Sequence, residues 1–119
     1  MSKVLKQFED AIFKGGIYKK LFQKQTPGKR IAPAQAKDND SIYQLRLDAG
    51  ESKDGKKNVY LQVNSQAKND ALKEFKKKNG THANLASGSI DENTPVESQE
   101  EAARKFWEDM AKQAKDQLG

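Results

Sequence analysis

Residues 43–64 read YQLRLDAGESKDGKKNVYLQVN. Tyr43, Leu45, Leu47 and Ala49 alternate with Gln44, Arg46 and Asp48, and Val59, Leu61 and Val63 alternate with Tyr60, Gln62 and Asn64. A period of two places each apolar set on one side of a strand, so the stretch contains two half-buried strands. Residues 50–57 between them are too polar for anything but the connection, and Asp54-Gly55 suits a tight turn. The simplest structure is an antiparallel hairpin whose outward face carries Gln44, Arg46, Tyr60 and Gln62.

Upstream, Val4, Leu5, Phe8, Ala11 and Ile12 recur at helical spacing. They predict an amphipathic helix over residues 3–14 that Gly15-Gly16 stops. Ile17 to Phe22 is β-branched and aromatic enough for a short strand, although Ile17, Leu21 and Phe22 would also share a helix face. Thr26-Pro27-Gly28 reads as a turn, and residues 31–40, with Pro33 and no periodicity, as a loop. Downstream, Ala67, Ala71, Leu72 and Phe75 mark one face of a second helix, capped by Asn64 or Ser65 and ended by Asn79-Gly80. Residues 81–93 carry only Leu85 and Ile90 as large apolar side chains and read as a linker. Two capping-box patterns, Thr94-Pro95-Val96-Glu97 and Ser98-Gln99-Glu100-Glu101, then open a last amphipathic helix with Ala103, Phe106, Trp107, Met110, Ala114 and Leu118 on its apolar face. The expected fold is α+β: a small antiparallel sheet of two to three strands packed by helices. The expected organisation is a basic domain over 1–80, a linker over 81–93 and a C-terminal helix over 94–119.

Composition bounds what such a chain does. Of 119 residues 34% are hydrophobic, and removing the 13 alanines leaves 28 large apolar side chains, enough for one thin core. The charged fraction is 33% and the mean hydropathy −1.00. No run approaches the length of a membrane span and the N-terminal residues lack an apolar signal core, so a soluble cytoplasmic protein without membrane contact is expected. The absence of cysteine excludes disulfides, thiolate metal sites and cysteine nucleophiles. The net charge of +5 divides unevenly: residues 1–80 hold 18 basic and 9 acidic side chains, whereas residues 81–119 hold 4 and 8. A basic working surface and an acidic C-terminal part follow.

The basic excess has a focus. Residues 13–30 contain Lys14, Lys19, Lys20, Lys24, Lys29 and Arg30, no acid, and Phe13, Tyr18 and Phe22 between them. Cations attract phosphates and aromatic faces stack on unpaired bases, so this pattern points to nucleic acid, single-stranded in preference. Arg46 and Tyr60 on the hairpin would add to it, as would Lys56-Lys57 and Lys76-Lys77-Lys78. The ordinary alternative is that Phe13 and Phe22 belong to the core and the lysines to a solvated face. The order helix, three strands, helix over residues 3–78 is similar to the topology of double-stranded RNA-binding domains. That likeness would set Lys68, Lys73, Lys76 and Lys77 against phosphates. The sequence departs from that family in lacking its Gly-Pro-His loop, and in having Ser65-Gln66-Ala67-Lys68 where a lysine pair opens the second helix.

Catalytic patterns are poor, and no enzyme activity, metal or cofactor is expected. His82 is the one histidine, which excludes histidine triads and multi-histidine metal sites. Gly28-Lys29 lacks the remaining residues of a phosphate-binding P-loop. Asp38, Asp40 and Glu51-Ser52-Lys53 echo a magnesium-nuclease arrangement, but on a connection rather than on one strand face. The other reading is a protein-interaction module, a small regulator or inhibitor. It would dock or dimerise through the Phe106, Trp107 and Met110 face of the C-terminal helix, a face that must be covered by something.

Overall fold

The computed structural model describes residues 3–24, 44–65, 67–80 and 83–118. The fold is α+β, with helix α1 (Lys3–Phe13), a 3-10 helix (Ile17–Phe22), strands β1 (Leu45–Lys53) and β2 (Lys56–Val63), helix α2 (Asp70–Asn79), strand β3 (Asn84–Asp91) and helix α3 (Val96–Leu118). The three strands form one antiparallel sheet in the order β1-β2-β3.

The hairpin forms where the alternation places it, and it is longer than the apolar residues alone indicate. Leu45 faces Val63, Leu47 faces Leu61, and pairing runs on to Lys53 and Lys56. The polar residues 50–53 thus extend β1, and the connection is only Asp54-Gly55, both at positive φ (55° and 78°). That is the turn whose twist matches two paired strands, and glycine accepts its second position without strain. A register shift between Ala49 and Ser52 absorbs the irregularity at Gly50 and Glu51.

Two expectations are corrected. Residues 17–22 are a 3-10 helix and not a strand: Lys19 N–H donates to Gly16 O and Gln23 N–H to Lys20 O, each three residues back. Neighbouring side chains on a strand point to opposite faces, but Leu21 and Phe22 are both buried, which a tight helical turn permits and a half-buried strand does not. Residues 84–91, inside the expected linker, are β3, which pairs with β2 through Asn84 and Ala86 to Asp91. Its register slips between Leu61 and Gln62, so that Leu85 and Ala86 are buried in succession. With β3 placed after α2 and no strand at 17–22, the order of elements also departs from that of double-stranded RNA-binding domains.

One face of the sheet carries the core. Leu45, Leu47, Ala49, Val59, Leu61, Leu85 and Ile90 pack with Val4, Leu5, Phe8 and Ile12 of α1, with Leu21 and Phe22, with Leu72 and Phe75 of α2, and with Ala103, Trp107, Met110, Ala111 and Ala114 of α3. The Phe8 and Trp107 rings lie 5.7 Å apart at the centre. Helix α2 is capped by Asn69, whose side chain accepts from the backbone N–H of Ala71 and Leu72, not by Asn64 or Ser65. Gln44, expected on the outward face, is buried and its side-chain oxygen accepts from the N–H groups of Lys68 and Asn69, tying the start of the hairpin to the turn before α2. The Thr94 hydroxyl donates back to Asp91 O, so it does not cap α3 in the manner the sequence suggests. Among the described residues no helix is long and apolar enough to cross a membrane.

Candidate nucleic-acid interface

The end of α1 and the 3-10 helix gather the aromatic and basic residues of the segment 13–24. Left-handed Gly16 (φ 74°) reverses the chain after α1 and brings Tyr18 back onto Phe13, with ring centres 5.9 Å apart and planes inclined by 29°. Both rings are partly buried against the core edge. Arg104 of α3 lies over the Phe13 ring at 4.4 Å, within the range of a cation–π contact, while its guanidinium also lies 3.4 Å from Glu100. Lys14 is 81% exposed and 3.9 Å from Asp10; Lys19 and Lys20 are exposed on the 3-10 helix. A shallow cleft of about 330 Å³ beside them is lined by Tyr18, Lys19, Phe22, Gln23, Val96 and Gln99, and Val96 is 80% exposed at its rim.

The other expected residues scatter. Lys24 borders a separate cleft of about 560 Å³ with Ser52, Asp54, Gly55, Glu92 and Asn93 at the hairpin tip. Lys29 and Arg30 lie outside the described residues, as do Asp38, Asp40 and His82. Arg46 and Tyr60 alternate with core-facing Leu45, Leu47, Val59 and Leu61, so they occupy the sheet face opposite the 3-10 helix. Arg46 is also engaged there: its Nε donates to Gln62 Oε1 at 3.0 Å and its guanidinium lies 3.5 Å from Asp48. Gln62 in turn donates to Asn84 at 2.7 Å, making a polar ladder across three strands. Arg46 and Tyr60 are therefore separated from the cluster around Tyr18.

Lys57 corrects the expectation of a basic loop. It lies on the core face of β2 with its side chain wholly buried, donates to Gln23 O at 2.6 Å, and faces the buried Glu92 carboxylate at 3.9 Å. Burial pushes its ammonium below the ordinary lysine range, and the Glu92 charge opposes that only in part. Glu92 accepts from the Ser52 hydroxyl at 2.7 Å through one oxygen and has no hydrogen bond at the other among the described residues. Among the described residues no group of three or more His, Cys, Asp or Glu side chains is placed to hold a metal.

The apolar face of α3 is covered by the chain itself. Trp107 and Met110 are 2% and 0% exposed, and Phe106 packs partly buried against the core, its ring beside Gly88 of β3. The face that the docking reading needs is thus occupied by the sheet and α1. What the sequence reading missed is Arg104: nothing in an acidic helix 74 residues beyond Arg30 signals that its cation closes over Phe13.

No curated protein and no solved structure matches the chain. The model of a family described as HrmA, subtelomeric hrmA-associated cluster protein, matches residues 1–109. With the match covering nearly the whole length, including the residues that build the Phe13–Tyr18–Arg104 cluster, the chain belongs to the subtelomeric hrmA-associated cluster protein family.

Proposed function

We propose that this protein is a small non-catalytic nucleic-acid-binding protein that holds single strands on the surface shared by the end of α1, the 3-10 helix and the first half of α3. The observation that carries this reading is the stacked Phe13–Tyr18 pair with Lys14, Lys19, Lys20 and Arg104 grouped around it. Ammonium and guanidinium groups attract phosphates without regard to sequence, and an aromatic platform accepts any unpaired base. Duplexes hide their base faces, so a stacking platform favours single strands.

The test is fluorescence anisotropy with a single-stranded oligonucleotide and the matching duplex at about 50 mM salt. Tyr18→Leu keeps the bulk and removes most of the stacking face. It should weaken single-strand binding by roughly tenfold, within the range of one lost base–aromatic stack, and leave duplex binding almost unchanged. Equal losses for both, or no loss for either, would mean that Tyr18 only packs.

A further inference from the structure

A second basic site lies at the opposite end of the molecule. Tyr18 and Lys19 share their cleft with Val96 and Gln99 near the start of α3, whereas Ala71, Glu74, Phe75 and Lys78 of α2 meet Gln117 and Leu118 at its end. The separation of 18 residues between Gln99 and Gln117 corresponds to about 27 Å of helix. Beyond α2, Lys73, Lys76 and Lys77 line a concavity of about 600 Å³ together with Asn64 and Ser65.

The three lysines are spaced i, i+3 and i+4, so their ammonium groups share one helix face and repel. None of the three has a carboxylate within ion-pair distance among the described residues, and Lys76 is half-buried. The usual duty of lysines at a helix C-terminus is to satisfy its last carbonyls. Near that end Phe75 O and Lys76 O accept from other groups, the Asn79 side chain at 2.8 Å and Gly80 N–H at 2.8 Å, and among the described residues none of the three lysines donates to a carbonyl. Lys73, in the middle of the helix, is too far from those carbonyls to serve them. Three cations thus line one hollow with no counter-charge among the described residues.

We infer that this concavity is a binding site for a compact polyphosphate, two or more phosphate groups held close together. Lysine ammonium groups are point charges with several donors, suited to phosphate oxygens in any orientation. The forked geometry that selects planar carboxylates belongs to arginine, which is absent from the lining among the described residues. Three cations carry more charge than one phosphate of about −1.5 to −2 neutralises, so adjacent phosphates match them better than one. The inference does not depend on nucleic-acid binding at Tyr18.

The experiment is an NMR titration of the full-length 15N-labelled protein with tripolyphosphate and, separately, with inorganic phosphate, at about 50 mM salt. Tripolyphosphate should give saturable shifts at the amides of residues 64, 65, 67 and 73–80 and none at 14–24, with a midpoint at least about tenfold below that of inorganic phosphate. The triple variant Lys73→Gln, Lys76→Gln, Lys77→Gln should weaken binding by about tenfold or more. Removing the same charge elsewhere, with Lys3→Gln, Lys53→Gln and Lys56→Gln, should change it by less than about twofold. Shifts spread over every basic surface, equal midpoints for the two anions, equal losses in the two variants, or no shifts at all would overturn the proposal. The wild-type shift map decides this even if the triple variant proves unstable.

Discussion

Lys56 and Lys57 are adjacent, identical in type and indistinguishable by composition, yet one is exposed and the other is buried on the core face. The pleat decides between them, and the register is set by a two-residue turn that the polar run 50–57 conceals. Breaking a buried ion pair from one side leaves the other charge unpaired, which typically costs about 3–5 kcal/mol, whereas replacing both partners is often close to neutral. Lys57→Met should therefore lower the urea-unfolding free energy by about 3 kcal/mol, and adding Glu92→Met should restore at least half of the loss. The pH dependence has a definite sign. Because the folded-state pKa of Lys57 lies below its unfolded value of 10.5, the unfolded chain binds more protons between those two values. Stability carried by this group thus rises with pH across that interval. Measured by denaturation from neutral pH upward, the wild type should gain on the double Met variant as the pH approaches 10.5; a flat or falling difference would contradict the burial of a protonated Lys57.

Among the elements, those with one dominant period were legible and those relying on partners were not. The stripe Val4, Leu5, Phe8 and Ile12 and the stripe from Ala103 to Ala114 both form the helices that their spacing predicts. The alternation of β1 and β2 specifies their pairing. Strand β3 has no such signal, since Ser87, Gly88 and Ser89 offer little to a core, and it is held by its ladder to β2 and by α3 lying across it. Gly88 shows how close that approach is: a Cβ there would meet the Phe106 ring at 2.8 Å and Met110 Sδ at 3.3 Å. Gly88→Ala should consequently destabilise by about 1–3 kcal/mol, the ordinary cost of overpacking. Pairing it with Phe106→Leu should recover part of that loss, measured by thermal or urea denaturation. If Gly88→Ala is neutral, α3 does not press on β3 as closely as described.

At the scale of the whole molecule, the acidic C-terminal part shares its core with the basic part. The acidic C-terminal part supplies β3 and the Trp107, Met110 and Ala114 core face, so it is integral to the one hydrophobic core and not an appendage. Deleting residues 94–119 should abolish cooperative unfolding. Any effect of its acids on polyanion binding has to be tested with full-length chains. Glu100 pairs with Arg104, which sits over Phe13, and Glu101 pairs with Lys105. Glu100→Gln with Glu101→Gln should raise single-strand affinity by roughly two- to fivefold at low salt and converge with wild type at high salt. The most direct measurement is the salt dependence of single-stranded oligonucleotide binding by anisotropy. With Lys14, Lys19, Lys20 and Arg104 each neutralising one phosphate, the slope of log K against log salt should be about −3, and Lys19→Gln with Lys20→Gln should reduce its magnitude by about 1.4. No binding at about 50 mM salt, or a slope that the double variant leaves unchanged, would contradict a nucleic-acid interface at this surface.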